Sequence, residues 1–122
     1  MAEYKLAVIP GDGVGPEVVA EGKKVLEAVA SGAGGLSFRY TQYPWGSAYY
    51  RETGRMMPED GLELLGRHDA ILFGAVGDPN IPDHITLQGL LLPMRRAFDQ
   101  GVCIRPAYLH PGVRSPLAGK KP

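Results

Sequence analysis

The chain has 122 residues, 44% of them hydrophobic, and its 13 basic and 13 acidic side chains give a formal charge of zero. That length suits one domain whose core buries roughly two-thirds of the unfolded surface. The balanced charge gives no pull toward nucleic acid or an anionic membrane, and runs such as Ala70-Ile71-Leu72-Phe73 are too short to span a bilayer.

In chain order, Lys5–Pro10 is a short apolar run closed by Pro and Gly, the pattern of a buried strand. Met1–Lys5 leads straight into it, without the design of a signal peptide. Pro16 and Glu17 open a helix, because Pro suits its first position and an acid suits its positive end. Helical spacing places Val18, Gly22, Val25, Leu26 and Val29 on one apolar face. Phe38–Tyr43 reads as a second strand, Ser47–Thr53 as a short helix capped by Gly54, and Pro58-Glu59-Asp60 as the start of another carrying Leu62 and Leu65. Ala70–Val76 is the third strand, followed by a Gly/Pro/Asp-rich loop over 77–84. A helix bearing Arg95 and a fourth strand over Val102–Leu109 come next, and 111–122 reads as a linker. This alternation predicts an α/β fold with parallel strand pairs, and ligands in such sheets gather beyond the carboxyl ends of the strands. Four strands make a thin sheet with an edge in need of cover.

Cys103 is the single cysteine, so no internal disulfide forms, which fits a reducing cytoplasm. With no base beside it in sequence, the thiol reads as an apolar filler. Arg95 and Arg105 carry planar, permanently charged forks that match carboxylates. Taken alone, they read as an Arg95–Asp99 pair on a solvated helix face and an ordinary surface arginine.

Gly11-Asp12-Gly13-Val14-Gly15-Pro16-Glu17 follows a strand and opens a helix, yet Pro16 stands where a dinucleotide fingerprint needs its third glycine. With its surroundings the loop resembles the opening signature of the metal-dependent β-decarboxylating dehydrogenases of 2-hydroxy acids, the isocitrate/isopropylmalate dehydrogenase family. Three further resemblances follow in the family's order: Phe73–Pro79, the Arg95-to-Arg105 segment, and Arg114-Ser115-Pro116-Leu117. The resemblance covers essentially the whole chain. Tyr49–Gly61 and Pro82–Leu87 are most similar to the tartrate/D-malate branch. Met56, Met57 and His84 serve there as markers only.

The resemblance implies an α/β/α sandwich of the isopropylmalate dehydrogenase type, with a mainly parallel sheet and distinct from a Rossmann domain. It implies two domains with the active site between them, residues 1–100 belonging to the first and 101–122 beginning the second. It also implies a cytoplasmic homodimer, NAD or NADP as cofactor, and Mg²⁺ or Mn²⁺ beside a small 2-hydroxy dicarboxylate. The implied reaction is oxidation of the hydroxyl-bearing carbon followed by decarboxylation. By match of position, Arg95 and Arg105 hold substrate carboxylates. Gly77 and Asp78 lie along the nicotinamide side of the cofactor, and Thr86 and Gln88 belong to the segment touching the nicotinamide and the variable part of the substrate. Asp12 and Glu17 read as loop and helix-start residues.

Gly89 and Leu91 occupy the places where isocitrate-type members carry Ser and Asn, which disfavours isocitrate. An isopropylmalate-type alkyl wall remains open. Gln88 replaces the usual Trp of tartrate-type members, Pro93 a Lys, Cys103 a frequent Asn, and Gly101 a bulkier residue. The family's catalytic Lys and Tyr, third arginine and metal-binding aspartates fall beyond Pro122. The sequence therefore reads as the N-terminal portion of a dehydrogenase, inactive alone, with no catalytic or metal-binding residue of its own. The alternatives are a short non-catalytic module for dicarboxylates or nucleotides, and an interaction module that completes itself through its strand edges.

Overall fold

A computed structural model describes residues 2–117. Strand β1 (Ala2–Gly11) lies in the middle of a three-stranded sheet, between β2 (Leu36–Gln42) and β3 (Ala70–Ala75), and is parallel to both. Leu6 stands beside Tyr40 on one side and Ala70 on the other. Covered on both faces, β1 carries the apolar run expected of such a strand, and Ala7, Val8 and Ile9 are fully buried.

Helix α1 (Gly15–Ala33) covers one face and touches all three strands. Pro16 stands in its first turn, as the sequence predicts. Its inward side differs from the expected one. Val19 is buried and Gly22, Lys23 and Leu26 are half-buried, whereas Val18, Val25 and Val29 are 53%, 63% and 50% exposed. Gly15 sets this rotation. A Cβ there would fall 2.0 Å from the Pro10 carbonyl oxygen, so this residue must face the sheet, and positions four, seven and eleven residues later follow it inward. Lys23 lies over the Tyr40 ring, Nζ 4.7 Å from the centroid. The Tyr40 hydroxyl is buried without a hydrogen-bond partner among the described residues. Burial and the neighbouring Glu27 carboxylate push it up to about 12.

The opposite face holds the larger core, in which Ala7 and Ile9 meet Trp45, Met56, Leu65, Leu90 and Met94. It is roofed by α2 (Ser47–Thr53), α3 (Gly61–Leu65), α4 (Asp83–Thr86) and α5 (Leu92–Ala97). Gly54 ends α2 in the left-handed conformation and donates to the Tyr50 carbonyl at 2.7 Å. Sheet and helices thus form the three layers of an α/β/α sandwich.

The helix bearing Arg95 begins earlier than the sequence suggests, since Asp83 is already helical. Between α4 and α5, residues Leu87–Leu91 make a π-turn, with the Leu92 amide donating to Leu87. Pro93 accounts for it: without an N–H it cannot donate to Gly89, and the wider turn accommodates the missing bond.

The expected fourth strand over Val102–Leu109 is absent. That segment has no ladder partner, and Val102, Ile104 and Tyr108 are more than four-fifths exposed. An extended, apolar run becomes a strand only beside another strand, and none of the three described strands reaches it. The Arg114–Leu117 motif is likewise irregular, and the last five residues of the linker reading lie outside the described chain.

Candidate functional site

The carboxyl ends of β1 and β3 converge on one carboxylate. Asp12 follows β1 and is 9% exposed. Its Oδ1 accepts the Ser47 amide at 2.7 Å, and its Oδ2 accepts the Ser47 hydroxyl at 2.6 Å and the Gly77 amide at 2.9 Å. One side chain therefore ties together the loop after β1, the first residue of α2 and the loop after β3. The strand ends can approach this closely because Gly11 is left-handed at φ +72°, and a Cβ there would lie 1.9 Å from the Ala75 carbonyl oxygen.

Beyond Gly77 the loop is pinned again. Asp78 accepts the Asn80 amide at 2.9 Å and pairs with the Arg51 guanidinium projecting from α2. Ile81, 7% exposed, anchors the far end and donates to the Asp78 carbonyl at 3.0 Å. The Asn80 amide first, and Arg51 after it, hold the Asp78 carboxyl below the usual carboxylate range against the opposing effect of burial. Gly77 is exposed, with φ +144° and open space where a Cβ would stand, so its backbone face is free for close approach.

Thr86 is fully buried, and its hydroxyl turns back to the Asp83 carbonyl at 3.3 Å. Gln88, two residues on, is exposed and lines a cavity of about 570 Å³ with Tyr50, Met56, Met57 and His84. Arg95 occupies the last turn of α5, its carbonyl accepting the Gln100 amide at 2.9 Å while Asp99 adopts φ +53°. Its side chain borders a smaller cavity of about 210 Å³ with Phe73, Leu91 and Met94. Arg105 is exposed on the irregular segment. It lies beside Cys103 and draws that thiol below its ordinary value, Arg95 adding a weaker pull and burial opposing both. Cys103, read from sequence as an apolar filler, is exposed instead.

Sequence reasoning left three residues of this arrangement without a role. Asp12 carried a signal, an acid between two glycines at a strand end. Ser47 carried a weaker one as the first residue of a short helix. Arg51 carried none, since its partner Asp78 is 27 residues away.

The sequence profile described as isocitrate/isopropylmalate dehydrogenase matches residues 5–121. The chain belongs to that family. Over 117 residues, 96% of this chain, it is 54% identical to the "Probable tartrate dehydrogenase/decarboxylase" of Agrobacterium vitis, covering 33% of that protein. It is 52% identical to the D-malate dehydrogenase [decarboxylating] of Escherichia coli over all of this chain and 34% of that one. The 3-isopropylmalate dehydrogenase of Thermobifida fusca is 53% identical over 97% of this chain and 33% of its own length. Among solved structures, the apo β-decarboxylating dehydrogenase of Thermococcus kodakarensis superposes with a TM-score of 0.59 at 38% identity, covering 79% of this chain and 27% of that one. The family member described here spans about a third of the length of the curated relatives it matches.

Proposed function

We propose that this chain is the N-terminal portion of an NAD(P)- and divalent-metal-dependent oxidative decarboxylase of a small 2-hydroxy dicarboxylate, of the tartrate/D-malate type. The supporting observation is the 54% and 52% identity to tartrate and D-malate dehydrogenases over nearly all of this chain. The guanidinium forks of Arg95 and Arg105 suit the carboxylates of a compact dianion and would fix its orientation.

In this reading the chain supplies binding and positioning. Arg95 and Arg105 grip the substrate carboxylates. Gly77 offers an open backbone face to the nicotinamide side of the cofactor, and Asp78 shapes that loop. Gln88 borders the variable end of the substrate, and Thr86 supports the start of its helix from within the core. When bound, the nicotinamide cofactor supplies the acceptor for the hydride of the hydroxyl-bearing carbon. Among the described residues no group of three or more His, Cys, Asp or Glu side chains is placed to hold a metal ion. These residues do not fit Mg²⁺ or Mn²⁺ by themselves.

Residues 1–100 then belong to the first, cleft-forming domain and 101–122 lead into the second, in a cytoplasmic homodimer. No described helix is long and apolar enough to cross a membrane.

Two measurements test this reading. Calorimetric titration with D-malate or tartrate should show binding that weakens about tenfold or more in Arg95→Ala and in Arg105→Ala, the loss expected for a charge-assisted bond. Unchanged affinity in both variants overturns the assignment. The 122-residue chain should form no NADH from D-malate with Mn²⁺, and turnover at an enzymatic rate would show that it is complete as a catalyst.

A further inference from the structure

We propose that Arg51 admits an anionic nucleotide to the carboxyl end of the sheet by cancelling the charge of Asp78. The inference rests on the cofactor reading above, which puts the nicotinamide side along Gly77 and Asp78. Arg51 acts through Asp78 and is a positioning residue.

The two loops that meet at this end of the sheet are acidic. Residues 11–17 carry Asp12 and Glu17, residues 76–84 carry Asp78 and Asp83, and neither stretch holds a Lys or Arg. A nucleotide cofactor and a dicarboxylate are both anions, so these loops alone repel what they are read to receive. Asp12 does not relieve the conflict. Its donors, the Ser47 amide and hydroxyl and the Gly77 amide, are neutral groups that hold its charge in place. Asp78 borders the open face. It directly follows Gly77, whose Cβ position is empty space at φ +144°, and its carboxylate accepts the Asn80 amide at 2.9 Å. That bond first, and Arg51 after it, keep the carboxyl below its ordinary range, so it is ionised at neutral pH. A full negative charge therefore stands beside the face read as the nucleotide site.

Arg51 is the cation that the fold brings to it. Among the described residues only one ion pair, Arg51 with Asp78, involves either loop. Arg51 lies one turn beyond Ser47 in α2, on the same face of the helix. Asp12 grips Ser47 and so fixes α2 against both loops, which delivers the guanidinium to a partner 27 residues away. The Asp78 side chain is 16% exposed and that of Arg51 54%. The charge sits in the loop wall, and its counter-ion reaches it from the surface. An exposed pair of this kind adds little to stability. Its effect lies in the potential that an approaching anion meets. An uncompensated unit charge about 6 Å from an anion weakens its binding roughly threefold in water-like surroundings, and more where water is excluded.

Fluorescence titration of the 122-residue chain with NADH is the test. Arg51→Ala should weaken binding about threefold or more at low salt, and the gap should shrink as added salt screens the carboxylate. Adding Asp78→Asn to Arg51→Ala should restore the wild-type affinity, because the amide oxygen still accepts the Asn80 amide but carries no charge. Arg51→Lys should stay near the wild type. If Arg51→Ala fails to fold by far-ultraviolet circular dichroism, Arg51→Gln serves in its place. Wild-type affinity in Arg51→Ala overturns the proposal. So does a loss that ignores salt or persists after Asp78→Asn, since Arg51 would then be scaffolding only. A wild-type chain that binds no NADH overturns the cofactor reading together with this inference. NADH binding that is blind to Arg51 leaves that reading standing and overturns this inference alone.

Discussion

Asp12 holds Ser47 twice, taking its amide at 2.7 Å on one carboxylate oxygen and its hydroxyl at 2.6 Å on the other. The same carboxylate takes the Gly77 amide at 2.9 Å. A nearly buried acid with three donors is stabilising only while all three remain, because each donor left behind must be desolvated without a partner. Asp12→Ala should therefore destabilise the chain by about 3 kcal/mol, whereas Ser47→Ala, which removes one hydroxyl, should cost about 1 kcal/mol. Urea unfolding checks this. The midpoint should fall in that order with an unchanged slope, and equal midpoints would mean that Asp12 does not carry the junction.

Gly11 and Gly34 separate two reasons for keeping a glycine. Both have positive φ, +72° and +62°, but a Cβ at Gly34 meets nothing within 4 Å while one at Gly11 meets the Ala75 carbonyl at 1.9 Å. Gly34→Ala should lose about 2 kcal/mol, from its backbone conformation alone, because φ +62° with ψ 134° is a glycine region. Gly11→Ala should lose at least about 3 kcal/mol, because the obstacle is a sheet backbone that cannot step aside. Thermal unfolding of the two variants gives the comparison, and a mild Gly11→Ala would show that β1 and β3 can part at their ends.

How far the sequence specified this architecture follows from which contacts are local. The three parallel strands, Pro16 in the first turn of α1 and the Gly54 cap depend on short-range pattern and turn chemistry, and they stand where that pattern puts them. The rotation of α1 does not, because its apolar residues fill a sector wider than the sheet covers, and Gly15 against the Pro10 carbonyl chooses between the two halves. The Val102–Leu109 segment has strand composition without a strand beside it. In the site, Asp12 between two glycines at a strand end was legible as a turn signal, but Arg51 finds Asp78 only through the fold.

Asp78 predicts a pH dependence of the loop. Its carboxyl sits below the ordinary value of 3.8 in the folded chain, chiefly because of the Asn80 amide and then because of Arg51. A group whose pKa is depressed by folding adds stability in full above its unfolded value and loses it as pH falls through the folded one. Amide exchange at Asn80, corrected for intrinsic rates, should show constant protection down to the ordinary carboxylate range and progressive loss below it. Arg51→Ala should shift the onset of that loss upward only in part, since the largest cause remains. Complete return to the unfolded value on removing Arg51 would show that the pair, and not the turn, holds the carboxylate.

Cys103 can report on the two arginines without any ligand. Arg105 beside the thiol lowers its pKa, with a smaller pull from Arg95, and the thiolate is the form that alkylates. The pH–rate curve for iodoacetamide should therefore have its midpoint below the ordinary thiol value of about 8.5. Arg105→Ala should move the midpoint upward by more than Arg95→Ala does. Added D-malate should slow the reaction in the wild type, because a dianion held by both guanidinium groups removes their positive potential from the sulfur and covers it. The same addition should have little effect once either arginine is gone. Equal protection in wild type and variants would place the dicarboxylate elsewhere, and a midpoint indifferent to Arg105→Ala would separate that guanidinium from the thiol.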